Sequence, residues 1–140
     1  MRKSKNKQAK VKVGRSRPGQ GLGLFADESI KKGDFVIEYK GKKISTKVAD
    51  ALGTKYLFEI DEKWTIDGSD KKYGNEARYI NHSCKPNCEA EIDEYDHILI
   101  YAIKDIKRGE ELSYDYGEEY FDEFIKPYGC KCNSCIEFKK

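Results

Sequence analysis

The sequence lacks the marks of membrane, secreted and repeat proteins. No apolar run approaches the roughly 20 residues that span a bilayer, and no apolar secretory stretch follows the basic N-terminus. Internal repeats are missing, as are low-complexity segments beyond that basic N-terminus. We therefore expect a soluble protein that stays inside the cell.

The chain also lacks an excess of charge of either sign. Charged residues make up 37% of it, yet the net charge is only +2, so no overall field favours nucleic acid. Locally the charge is polarised, because residues 1–17 contain eight basic side chains and no acid, whereas acids cluster at residues 118–123. The basic arm could contact nucleic acid or be a solvated tail, and the acidic cluster could face a basic peptide or only solvent.

The number of cysteines argues against a disulfide framework. There are five, an odd number, in a chain of 140 residues that is long enough for one domain but not for two independent cores. Three of them, Cys130, Cys132 and Cys135, lie within six positions, which favours metal binding in a reducing compartment. A closed zinc site normally has four ligands, and the other thiols are Cys84 and Cys88.

Short β-branched and aromatic runs dominate the rest of the chain and predict a mostly β fold. The predicted helix covers residues 45–55, with Ser45 or Thr46 as N-cap and Gly53 as the stop. Residues 14–23, around Pro18, are interpreted as a loop. The predicted strands are residues 35–39, 56–60, 64–68 and 97–103. Residues 56–60 alternate and are predicted to form a hairpin with 64–68, and residues 97–103 are the most apolar strand.

Polar groups are densest in residues 78–90, between two apolar runs. Asn81, His82 and Ser83 supply hydrogen-bond donors and acceptors in succession, and Pro86 biases Lys85 away from helix. We interpret the stretch as a shaped polar loop, the kind of segment that commonly carries function.

This stretch resembles the signature of SET-domain protein lysine methyltransferases. It contains Arg-Tyr-Ile-Asn-His-Ser-Cys at residues 78–84 and Pro-Asn-Cys at 86–88. Three further blocks match in the family's order: Gly-Leu-Gly-Leu-Phe-Ala at 21–26, Gly-Glu-Glu-Leu-Ser-Tyr-Asp-Tyr-Gly at 109–117, and Cys-Lys-Cys-Asn-Ser-Cys at 130–135. The resemblance implies a SET-domain (β-clip-like) fold of short sheets, with a knot-like C-terminal segment and a small post-SET zinc-binding tail.

The implied organisation is a basic N-terminal arm (1–13), a SET catalytic domain (14–117) and a post-SET zinc-binding segment (118–140). The implied activity is transfer of a methyl group from S-adenosylmethionine to a lysine of a protein such as a histone tail. The location would be the nucleus or chromatin if histones are the substrate, and otherwise the cytoplasm or a host cell.

The resemblance also implies the catalytic residues. Tyr116 would be the catalytic tyrosine, and Tyr56, Phe58 and Tyr114 would line the channel that receives the lysine, with Tyr56 and Tyr114 also assisting catalysis. Tyr114 and Tyr116 are two apart in an extended segment, so their side chains should share one face. Such a channel would desolvate the amine and lower its pKa. A tyrosine rather than a phenylalanine at Tyr114 leans towards monomethylation or dimethylation.

The methyl donor would be held by a glycine loop, the central motif and the C-terminal cluster. Asn81 would bind through its amide and His82 mainly through its backbone, while the aliphatic stem of Lys131 would cover the adenine ring. The implied donor-binding residues are Gln20, Gly21, Leu22, Asn81, His82, Tyr116 and Lys131. In the family, the cysteine after Asn-His-Ser completes the zinc site, so the implied ligands of one structural zinc are Cys84, Cys130, Cys132 and Cys135, with Cys88 as a small buried side chain.

A rival interpretation is a non-catalytic module that keeps the fold and binds a peptide or nucleic acid. The presence of Asn81, His82 and Tyr116 speaks against it.

Overall fold

The computed structural model describes residues 7–18, 20–52 and 56–117. This part of the chain contains ten short strands, one helix and two 3₁₀ turns, which confirms the mostly β fold. The strands are β1 Val11–Arg15, β2 Leu22–Ala26, β3 Phe35–Tyr39, β4 Lys42–Ser45, β5 Leu57–Glu59, β6 Trp64–Asp67, β7 Asn81–His82, β8 Cys88–Ile92, β9 Ile98–Ala102 and β10 Ser113–Tyr114. The helix α1 is Thr46–Leu52, and the turns are Lys71–Tyr73 and Glu76–Tyr79.

The strands form four small sheets. Strands β1 and β2 are an antiparallel pair, while β9 lies between β3 and β8 and β6 lies between β4 and β5. The fourth sheet is a parallel pair of β7 and β10, with Asn81 opposite Ser113 and His82 opposite Tyr114. Since parallel strands need a long connection, this pair joins two segments that are far apart in sequence.

The core lies around the central strand β9. Every residue of β9 is buried, because both faces of this strand are covered, and such strands are continuously apolar rather than alternating. This explains why residues 97–103 gave the clearest strand prediction. The side chains buried most completely beside it include Leu24, Val36, Ile106 and Leu112.

The helix and the following hairpin agree with their predictions. Ser45 is the N-cap, since its Oγ accepts a hydrogen bond from the Val48 backbone at 3.2 Å. The predicted end of the helix at residues 53–55 lies outside the described residues. Strands β5 and β6 pair antiparallel, as the alternation in residues 56–60 and 64–68 predicts. In the described part of the chain, no helix has the length and apolar character needed to cross a membrane.

Two loop predictions were wrong. Residues 14–23 are not loop throughout, because Val11–Arg15 and Leu22–Ala26 pair as strands. Val11 and Val13 alternate with polar or small residues and pack on the core, a short apolar pattern within a basic run. In the central stretch, Asn81–His82 and Cys88–Ile92 are strands, because partners distant in sequence supply their ladder hydrogen bonds.

Candidate active site

The parallel pair of β7 and β10 unites the two polar motifs of the sequence. The Ser83 backbone N–H donates to the Tyr114 carbonyl at 3.2 Å. The Tyr116 backbone N–H donates to His82 Nδ1 at 3.1 Å. The structure therefore brings Asn81 and His82 beside Tyr114 and Tyr116, although more than 30 residues separate them in the chain.

The two tyrosines belong to a continuous aromatic cluster. The ring centroids of Tyr114 and Tyr116 are 5.0 Å apart, so both side chains leave the strand on one side as predicted. Phe58 stacks on Tyr114, with centroids 6.0 Å apart and planes inclined by 27°. Tyr39 adds a fourth ring, 5.4 Å from Phe58. Tyr39 was not among the predicted site residues, because it ends a strand and has no distinguishing mark in the sequence beyond being aromatic.

Tyr56 lies in a second group of aromatic rings. Its ring meets the edge of Tyr79, with centroids 6.1 Å apart, and the Arg78 guanidinium carbon lies 5.1 Å from its centroid. Arg78 also donates to the Tyr79 hydroxyl at 2.8 Å and to the Ser69 carbonyl at 2.8 Å. The position of Tyr56 is thus set by a cation and a ring, and its proposed place in the channel wall remains a prediction.

Tyr116 is held at both ends. Its hydroxyl donates a short hydrogen bond to the Ile80 carbonyl, and its ring meets His82 with centroids 5.5 Å apart. Together with the backbone bond to His82, these contacts leave the tyrosine little freedom to rotate. A catalytic hydroxyl requires fixed placement of this kind, because a small error in position is costly in rate.

His82 is a buried and neutral ring. Burial lowers the pKa of His82, while the Asp115 carboxylate, whose Oδ1 is 3.8 Å from Nδ1, acts in the opposite direction. Because Nδ1 accepts the Tyr116 N–H, the neutral ring carries its proton on Nε2, which lies 3.5 Å from Cys84 Sγ. The side chain of His82 is therefore engaged within the protein, and binding of the donor through its backbone stays a prediction.

The loop predicted to bind the donor closes beside Asn81. Its ends are joined by a bond from the Ser16 N–H to the Gly21 carbonyl at 2.8 Å, and Gly21 has a φ of 68°, which favours glycine. Gln20 lies in the same turn and its Oε1 is 3.0 Å from Ser16 Oγ. Asn81 Nδ2 donates to the Leu22 carbonyl at 2.9 Å, so Gln20, Gly21 and Leu22 are tied to the central motif.

The Glu111 carboxylate, which was not among the predicted site residues, lies between Asn81 and the turn that begins at Ser16. Glu111 accepts hydrogen bonds from Asn81 Nδ2 at 2.9 Å and from Ser16 Oγ at 2.8 Å. It stands in the quoted block at residues 109–117, but no spacing rule separates it from its neighbour Glu110. Only the three-dimensional structure distinguishes the two acids.

The cysteines are described only in part. Cys84 is exposed, whereas Cys88 is buried on β8 with 1% of its surface accessible, which agrees with its predicted role as a small buried side chain. Burial raises the pKa of the Cys88 thiol to about 12, although a hydrogen bond from the Ser113 backbone acts against this. Within the described ranges, no group of three or more potential ligands is placed to hold a metal ion. Cys130, Lys131, Cys132 and Cys135 lie outside those ranges, so the zinc site and the role of Lys131 remain predictions.

Comparison with known proteins gives consistent matches. The model of the SET domain family matches residues 21–117. A histone-lysine N-methyltransferase, H3 lysine-4 specific, from Schizosaccharomyces pombe is 46% identical in an alignment of 125 residues that covers 81% of this chain and 13% of that protein. The protein of the same name from Aspergillus oryzae is 44% identical in an alignment of 124 residues that covers 80% of this chain and 10% of that protein.

A solved structure agrees with these relatives. A chain of ctPRC2 in an autoinhibited conformation bound to S-adenosylmethionine is 36% identical, with a TM-score of 0.69 over 79% of this chain and 15% of that chain. The present chain thus spans only about a tenth of the length of the curated relatives it matches. The family match covers most of the chain, and the aromatic cluster lies within it. The chain belongs to the SET domain family.

Proposed function

We propose that the chain is an S-adenosylmethionine-dependent protein-lysine N-methyltransferase that acts on a histone tail. The observation that carries the proposal is the junction of β7 and β10, which sets Asn81 and His82 beside the Tyr114 and Tyr116 rings. The relatives named as histone-lysine N-methyltransferases support the activity and the substrate class. A neighbour bound to S-adenosylmethionine supports the donor.

The aromatic cluster would serve the lysine. Rings of Phe58, Tyr114 and Tyr116 can surround the aliphatic stem of the side chain and exclude water from its amine. Desolvation disfavours the charged ammonium and so lowers its pKa, which makes the amine available as a nucleophile. The rigid hold on Tyr116 would align the amine with the group it attacks.

The polar residues fit the donor, which supplies an electrophilic methyl group on a cationic sulfur. Both hydrogens of the Asn81 amide are used within the protein, so the oxygen is what Asn81 can offer, and oxygen acceptors suit a cationic ligand. The lowered pKa of His82 keeps the ring neutral, so it adds no repelling charge. Gly21 has a positive φ and no side chain, so the loop backbone can approach a ligand closely there.

The number of methyl groups transferred would be low. The Tyr114 ring is buried among other rings, and a hydroxyl there would hold a water molecule in the space needed by a second methyl. Monomethylation or dimethylation is therefore the proposed outcome.

The terminal segments would complete the enzyme. One structural zinc, bound by Cys84 with Cys130, Cys132 and Cys135, would fasten residues 118–140 over the central motif. The exposed Lys12 of β1 would allow the basic arm to touch nucleic acid. A histone substrate would place the enzyme in the nucleus or at chromatin.

The test is methyl transfer from labelled S-adenosylmethionine to core histones and to total cell lysate. Tyr116→Phe should abolish transfer, because it removes the hydroxyl and keeps the ring. Tyr95→Phe is the matched control, since Tyr95 is 70% exposed at the β8–β9 connection. Equal transfer by the wild type and Tyr116→Phe would contradict the assigned role. A wild-type protein that binds no donor would favour a non-catalytic binding module.

A further inference from the structure

We propose that Glu111 is a positioning residue that fixes the orientation of the Asn81 amide and thereby sets affinity for the methyl donor. The inference rests on the proposed function. Glu111 would act through Asn81 and not by touching the reacting atoms.

The orientation of the Asn81 amide is decided by two acceptors. Its Nδ2 lies 2.9 Å from the Leu22 carbonyl oxygen and 2.9 Å from Glu111 Oε2. An amide nitrogen has two hydrogens, and here each has an oxygen to bond. The flipped amide would place Oδ1 beside the Leu22 carbonyl and the Glu111 carboxylate. All three groups are hydrogen-bond acceptors, so no hydrogen bond could form among them. Glu111 and Leu22 together therefore permit only one orientation.

This orientation determines what Asn81 offers to a ligand. With both hydrogens used, the side chain presents Oδ1 as an acceptor, and no described residue donates to that oxygen. A donor molecule with a sulfonium and an ammonium group is cationic at its reactive end, so it is attracted to an acceptor and repelled by an N–H. Loss of the carboxylate would free the amide to rotate and would weaken binding of the donor.

Glu111 is itself held on two sides. Ser16 Oγ lies 2.8 Å from both carboxylate oxygens, so a single hydroxyl spans them. On the other side lies Gly23, where a Cβ atom would stand 2.4 Å from Glu111 Oε2 and 3.0 Å from its Cδ. Real Cβ contacts essentially never come so close, and the carboxylate occupies space that only a glycine leaves. Because Gly23 does not have a positive φ, alanine at this position tests the space and not the backbone conformation.

The experiment measures binding of S-adenosylmethionine and of its demethylated product by calorimetry, with no protein substrate present. Glu111→Gln should weaken binding about tenfold, because a neutral amide oxygen is a weaker acceptor than the carboxylate and the amide can also turn its NH₂ group towards Asn81. Gly23→Ala should weaken it similarly although Glu111 is still present, because the new methyl group displaces the carboxylate. The matched control is Glu110→Gln, an exposed neighbour whose Oε1 accepts a hydrogen bond from the Lys107 N–H, and wild-type affinity is expected.

A double-mutant cycle separates positioning from a general structural effect. If Glu111 acts through Asn81, then Glu111→Gln should cause no further loss of affinity in an Asn81→Ala background. The same loss in both backgrounds, or wild-type affinity in Glu111→Gln, would overturn the inference while leaving the proposed function intact. If Glu111→Gln does not fold, the same cycle is measured with Gly23→Ala, in the wild-type and Asn81→Ala backgrounds. A wild-type chain that binds no donor would overturn the proposed function, and the inference with it.

Discussion

Replacement of Tyr114 by phenylalanine should change the number of methyl groups added without disturbing the fold. The Tyr114 ring is 7% exposed, stacks on Phe58 at 6.0 Å and lies 5.0 Å from Tyr116. Phenylalanine keeps this ring and its contacts and removes one oxygen. We expect the free energy of unfolding to change by no more than about 1 kcal/mol, the net worth of one hydrogen bond.

The size of the effect follows from the water that the hydroxyl would hold. A second methyl group needs the space of that water, and giving up its hydrogen bond to Tyr114 costs about 1–2 kcal/mol. A barrier lowered by this amount raises the rate of the second transfer about 5- to 30-fold relative to the first. The first transfer does not require the water to leave, so its rate should change little.

The assay is mass spectrometry of a histone peptide during a time course. The wild type should accumulate the monomethylated peptide, and Tyr114→Phe should form dimethyl and trimethyl products early. Tyr95→Phe, which removes an exposed hydroxyl, should behave as the wild type. A wild type that forms mainly trimethyl-lysine, or an unchanged product ratio in Tyr114→Phe, would refute the reasoning.

Three further predictions concern stability and metal. Leu24 is fully buried, so Leu24→Ala should lower the free energy of unfolding by about 2–5 kcal/mol in denaturant titrations, and a loss below about 1 kcal/mol would contradict its place in the core. Cys88 should resist iodoacetamide at neutral pH, because its pKa is raised from 9.0 to about 12. The thiol of the unfolded chain then loses its proton first, so the free energy of unfolding should fall as the pH rises from 9.0 to about 12. A Cys88→Ala variant that loses stability equally over this pH range would exclude Cys88 as the cause. A chelator should release about one zinc per chain and abolish transfer, and full zinc content in Cys84→Ser would exclude Cys84 as a ligand.

Patterns local in sequence predicted the helix and four of the ten strands in the described residues. The β9 strand is apolar along its whole length because it is buried on both faces, and a run of this kind is visible in one dimension. The hairpin of β5 and β6 joins two predicted strands, and these pair antiparallel. By contrast, β1 interrupts a basic run with only two valines, and β7 is two polar residues long, so neither contains enough apolar periodicity to be recognised.

The sequence predicted contacts between site residues of one motif, but not contacts between residues that the fold brings together from distant parts of the chain. Two-residue spacing placed Tyr114 and Tyr116 on one face, and the rings do meet. Tyr39 and Glu111 were missed because their roles depend on partners 19 and 30 residues away, Phe58 and Asn81. A tyrosine at the end of a strand and one acid beside another have no mark in the sequence that predicts such contacts.

The β7–β10 pair is too short to be stable through its own ladder, so side chains must hold it. Asn87 provides much of this support: its Oδ1 accepts from the Ser113 N–H at 2.9 Å and its Nδ2 donates to the Glu111 carbonyl at 2.9 Å. Tyr116 adds the bond from its hydroxyl to the Ile80 carbonyl. The stretch at residues 78–90 is therefore polar for two reasons, since its side chains build the junction as well as the site. A substitution there that lowers activity has to be compared with its effect on unfolding before a role in the chemistry is assigned.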